Sequence, residues 1–129
     1  MKSKDDIEKL EKLIGQLQSL HAEISQLAKK SPNDGLNVFK LKFVNVVLKA
    51  ANELLTAGYL PFEGFSQFEE DSLPTNSDVT MILAQYMDQT ERYRSAQMTT
   101  AGAGYVYLIN GKPSEIQGRS PTRVGLPRR

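Results

Sequence analysis

The chain has 129 residues, 40% hydrophobic and 24% charged, with a formal net charge of +1, the size and balance of one globular domain. It holds no cysteine and a single histidine, which excludes disulfides, thiolate nucleophiles and the usual zinc ligand sets. The charge is uneven: residues 1–98 carry 11 basic and 14 acidic side chains, whereas Lys112, Arg119, Arg123, Arg128 and Arg129 stand against Glu115 alone in residues 99–129. Such an asymmetry suits a solvated tail or contact with an anionic partner.

The first predicted helix spans residues 4–30. Ile7, Leu10, Ile14, Leu17, His21, Ile24 and Ala28 occupy the a and d positions of a heptad, and Leu13, Leu20 and Leu27 the adjoining g positions. Three apolar positions per heptad make a stripe broader than a two-stranded seam. The stripe is therefore expected to bind a protein partner or a second copy, with packing inside the chain as the competing reading. His21 reads as a polar layer in that interface, since a general base would need a nucleophile and an orienting carboxylate. Ser3 and Asp6 form a capping-box pattern, Asp5 and Lys29-Lys30 suit the helix dipole, and Ser31-Pro32 ends the helix. The charged start, Met1 to Asp6, has no secretory pattern, and no apolar run reaches the ~20 residues of a membrane span. A cytoplasmic protein with no membrane partner is the expectation.

A second helix is predicted over residues 36–57. Lys42, Asn45, Lys49, Asn52 and Glu53 share one narrow face and almost everything else is apolar, so this helix is expected to be the central, mostly covered one. Ala57-Gly58 followed by Pro61 reads as its end, with Gly58 left-handed. In the connector 59–75, Phe62, Phe65 and Phe68 recur every three residues, which fits a short helical or 3₁₀ turn plugging one end of the core. Pro74 to Asp78 supply N-cap candidates for a third helix, residues 77–98, with Val79, Ile82, Leu83, Tyr86, Met87 and Tyr93 on one face.

Residues 99–104 read as a flexible hinge. Tyr105 to Ile109 is a strand, Asn110-Gly111 a hairpin turn, and Lys112 to Gln117 an edge arm containing Pro113. Residues 119–129 read as a flexible basic tail. The predicted organisation is a helical domain over 1–98, a hinge and hairpin over 99–118, and the tail.

Chemistry-bearing motifs are sparse. Glu69, Glu70, Asp71 and Asp78 lack the spacing of a calcium loop, and Gly102-Ala103-Gly104 lacks a third glycine and precedes its strand where a phosphate loop follows one. No catalytic set, metal, cofactor or small-molecule substrate is expected. A carboxylate enzyme would need a pocket gathering Glu53, Glu69 or Asp78 beside Tyr86 or Arg92. Tyr105 and Tyr107 share a strand face close to Lys112, Arg119, Arg123, Arg128 and Arg129, a pattern able to stack and neutralise nucleic acid. The fold expected is mainly α: a three-helix up-down-up bundle with a long amphipathic N-terminal helix, a C-terminal β-hairpin and the basic tail. The function expected is a non-enzymatic adaptor or complex subunit, acting through the N-terminal helix and the hairpin. A nucleic-acid-associated subunit is the alternative.

Overall fold

The computed structural model describes residues 1–122 and residue 124. Its elements in chain order are α1 (Lys4–Lys30), α2 (Val38–Leu54), 3₁₀ turns at Ala57–Tyr59 and Glu70–Ser72, α3 (Asn76–Ala96), and strands β1 (Met98–Ala101), β2 (Gly104–Ile109) and β3 (Lys112–Gly118). Mainly α with a C-terminal antiparallel sheet is thus the architecture.

Each helix begins at a side-chain oxygen that satisfies an otherwise unpaired amide. Ser3 accepts from the N–H of Asp6, Asn37 from Lys40 at 2.8 Å and Thr75 from Asp78 at 3.1 Å. Acidic residues open α1 and lysines close it, as the dipole favours. α2 stops at Leu54, and Leu55 is already extended. Gly58 is not among the left-handed residues. The chain turns there through the 3₁₀ turn rather than a glycine cap. The three phenylalanines stand between the two 3₁₀ turns and not in one: Phe65 and Phe68 pack edge to face at 5.2 Å against the core, while Phe62 stays exposed.

The helix directions differ from the up-down-up expectation. α2 runs back along α1: its start is tied to the far part of α1 by the Lys40–Glu23 ion pair, and its end borders the same depression as Asp6 and Lys9. α3 also runs back along α1. Its first residue is held near the end of α1 by Asn76 Nδ2 donating to the Ser31 carbonyl at 2.9 Å, and Asn110, in the sheet beyond α3, donates to the Met1 carbonyl at 2.8 Å. The order is therefore up, down, down. The connector makes this possible by climbing back along α2, pinned by Asn45 to both the N–H and carbonyl of Phe68 (2.9 Å each) and by Asn52 to the carbonyl of Ser66 (2.7 Å). An extended segment rises ~3.3 Å per residue against 1.5 Å in a helix, so residues 55–75 have ample reach. At the top the chain is zipped: Leu36 donates to the Pro74 carbonyl at 2.9 Å and Asn76 to that of Asp34 at 2.8 Å.

The core gathers Ile7, Leu10, Leu17 and Ile24 from α1, Leu41, Val44, Leu48 and Ala51 from α2, and Val79, Leu83 and Tyr86 from α3. The Tyr86 hydroxyl donates to Asn52 Oδ1 at 2.7 Å, so Asn52 links α3, α2 and the connector. Burial pushes the Tyr86 hydroxyl above its ordinary range, with the Asn52 contact opposing.

The segment expected to be a hinge is a strand. β1, β2 and β3 form a three-stranded meander in that order, Met98 facing Tyr107 and Ala101 facing Gly104. The β1–β2 link is Gly102-Ala103 with Gly102 at φ +62°, and the β2–β3 link is Asn110-Gly111 with both residues at positive φ. These are the two tight turns that match strand twist, the first needing glycine at its first position. The sheet packs on the helices, and its Met98 and Tyr107 belong to the core.

Candidate docking surface

The apolar stripe of the first helix is where the core is built. Ile7, Leu10, Leu13, Leu17 and Ile24 are buried, and Ile14, Leu20, His21 and Leu27 are half-buried. α2 and α3 pack on this stripe and bury most of it, while Leu13 and Leu20 also border an open depression beside α2. The open apolar surface lies instead on α2.

α2 uses one side for the core and spends Asn45 and Asn52 on the connector. Its remaining face carries Phe39, Phe43, Val46 and Ala50, spaced four, three and four residues apart, which is one stripe of a helix. Phe39 is 71% exposed, Val46 62% and Phe43 51%. The Phe39 and Phe43 rings meet edge to face with centroids 5.0 Å apart, a preferred aromatic arrangement. The expectation of a central, covered helix is corrected here: three helices and one small sheet leave nothing in the described residues to lie over this side.

Alongside the stripe runs a groove between α1 and α2. One depression of about 520 Å³ is lined by Lys9, Lys12, Leu13, Gln16, Val46, Ala50 and Leu54, with Asp6 and Glu53 at its end. A second, of about 500 Å³, is lined by Lys12, Gly15, Gln16, Ser19, Leu20, Phe43 and Val47. They share Lys12 and Gln16, and so make one trough along the helix pair. Gly15 and Ser19 keep the α1 wall low, with no atom within 4 Å of where a Cβ on Gly15 would stand.

The C-terminal third is arranged differently. Arg94 is fully buried and its guanidinium is saturated: Nε and Nη2 donate to Glu91 at 2.8 Å each, Nη1 to the Arg119 carbonyl at 2.8 Å, and Nη2 to the Ser120 carbonyl at 2.9 Å. The same Glu91 accepts from the Thr122 N–H at 2.8 Å. Residues 119–122 are thus held, where a flexible tail was expected from residue 119 onward. Burial pushes the Glu91 carboxyl up, but hydrogen bonds from Arg94 and Thr122 and the charges of Arg94 and Arg119 outweigh it, leaving Glu91 below the usual carboxylate range.

Tyr107 is 1% exposed and donates its hydroxyl to Glu11. Burial first, and then the Glu11 contact, push that hydroxyl up to about 12. Tyr105 is half-buried against the core, so the two tyrosines do not form an open stacking platform. Lys112 is exposed at the start of β3, and Arg119 sits 3.9 Å from Glu91. Arg123, Arg128 and Arg129 lie outside the described residues.

No family model, curated protein or solved structure matches the chain. Among the described residues no group of three or more histidine, cysteine or acidic side chains could hold a metal ion, and no helix is long and apolar enough to cross a membrane. Among the described residues no hydrogen bond or ion pair joins Tyr86 or Arg92 to Glu53, Glu69 or Asp78. The Tyr86 hydroxyl is taken by Asn52, and Arg92 lies over the Tyr59 ring at 5.5 Å. The α2 face was missed in the sequence because its apolar residues looked like core. The signal was present in the asparagines: an α2 whose Asn45 and Asn52 are engaged has no second layer left for Phe39, Phe43 and Val46.

Proposed function

We propose that this chain is a non-enzymatic interaction domain that takes a helical segment of another protein along the α1–α2 groove. The observation that carries this reading is the exposed Phe39-Phe43-Val46 stripe beside a trough wide enough for side chains. An apolar helix face with anchors at i, i+4 and i+7 is the half-site of helix-in-groove recognition. Exposed aromatics in a contiguous patch are costly to leave in water unless they are used. The up-down-down order supports the reading, because it leaves the flank of α2 away from the connector uncovered. A non-catalytic role is supported by the Glu91, Arg94 and Tyr107 cluster, whose polar atoms are already engaged by one another, by the segment 119–122 and by Glu11. A nucleic-acid role for the C-terminal third has less support, since Tyr107 is inside and Arg119 stands beside a carboxylate.

The test is a titration of the isotope-labelled chain with an amphipathic helical peptide bearing a leucine stripe, followed by amide NMR. Resonances of Phe39, Phe43, Val46, Gly15 and Ser19 should move together, and Phe43→Asp should abolish the shifts while leaving the spectrum folded. Shifts confined to the sheet, or none at all, would overturn the docking reading.

A further inference from the structure

The charges around the groove narrow its occupant. On the α1 side the rim carries Lys9 and Lys12, both lining the trough. On α2, Lys42 and Lys49 each precede a member of the stripe by one residue, Phe43 and Ala50, and both are exposed, so helical spacing sets them along the outer flank. An apolar floor therefore lies between two pairs of lysines. The acidic groups near the trough are placed differently. Asp6 and Glu53 close its far end, and Glu23, near the other end, is already paired with Lys40.

Resting on the docking reading above, we infer that the occupant is an acidic amphipathic helix of another protein. Its apolar stripe lies on Phe39, Phe43 and Val46, and its carboxylates meet Lys9 and Lys12 on one side and Lys42 and Lys49 on the other. A second copy of this chain fits less well. It would offer its own α2, and a two-fold antiparallel pairing sets each flank against the same flank of its mate. That brings Lys42 and Lys49 of both copies together, with only Glu53 of each to offset them. Like charges across an interface are the ordinary means of suppressing a wrong partner. The exposed faces of α1 hold carboxylates, Glu8 and Glu11, but no apolar stripe beside them, so α1 of a second copy does not supply the ligand.

The experiment compares two synthetic helices of about five turns, the length of α2. Both carry the same leucine stripe, flanked by glutamates in one and by lysines in the other. Binding to the full chain is measured by fluorescence anisotropy at low and high salt, and the mass of the chain alone by light scattering. The acidic peptide should bind at least about ten-fold more tightly at low salt, with the preference shrinking as salt screens the rim. Joint replacement K9E, K12E, K42E and K49E should invert the preference, and Phe43→Asp should abolish binding of both peptides. Because all five positions are exposed, these variants keep the core. Equal affinity for the two peptides would overturn the acidic-helix inference and leave the docking reading standing, whereas no binding of either would overturn both. A dimer that Phe43→Asp dissolves would replace the inferred occupant with a second copy.

Discussion

The outer face of α2 and the far end of α3 solve opposite problems. On α2, phenylalanines and a valine stand in water while the helix buries Val44, Leu48 and Ala51 behind them. At the end of α3 a charged arginine is fully enclosed, and every donor direction it has is answered by Glu91, by main-chain carbonyls or by the Met98 sulfur. A buried charge persists only where its partners are complete. The exposed apolar stripe, by contrast, asks nothing of its own chain. The difference separates a part of the molecule that holds the fold from a part that the fold holds out.

Substitutions sharpen this contrast. The largest effect is expected from Arg94→Met, which fills a similar volume but takes from Glu91 its main cation and two hydrogen bonds and from two carbonyls their donor. Breaking a buried pair in this way costs on the order of 3–5 kcal/mol, read as a fall in the urea midpoint. Next comes Gly118→Ala. A Cβ there would stand 2.7 Å from Met98 Cε and 2.8 Å from Tyr107 Cε2, and since Tyr107 is locked in the core the expected loss is about 1–3 kcal/mol. Acid should act through Glu91. Because its folded pKa is lowered, its stabilisation is full above the ordinary carboxylate range and is lost as pH falls through that range and past its own value. Urea midpoints measured between pH 7 and pH 3 should therefore fall less steeply in Glu91→Gln than in the parent chain. At the other end of the scale, Phe43→Ser should change the unfolding free energy by no more than about 0.5 kcal/mol, as exposed positions do. A loss of several kcal/mol from Phe43→Ser would mean that α2 is core after all, and the contrast would collapse.

Helix positions were legible from sequence because caps and periodicity are local. α1 matches residues 4–30, and Asn110-Gly111 turns where it should. β1 escaped because a four-residue strand of Met98, Thr99, Thr100 and Ala101 carries little pattern, and the glycine that makes its turn also resembles a hinge. The direction of α3 escaped for another reason: residues 55–75 are long enough to return the chain to either end, and it is the pins at Asn45 and Asn52 and the zip of Leu36 to Pro74 that decide between them. The candidate site was hidden by a symmetry of composition, since an apolar residue looks the same whether it faces a core or a partner. Arg94 likewise gave no sign of burial, because its partners at residues 119 and 120 are far along the chain and offer only carbonyl oxygens.

That last detail has an evolutionary side. Arg94 grips residues 119 and 120 through atoms that every amino acid possesses, so the identities of Arg119 and Ser120 are not what fixes the path of the strand's exit. Position 120 offers Arg94 nothing but main chain, whereas position 119 adds a second cation beside Glu91. The molecule thus has an anchoring post that grips its chain mainly by the backbone.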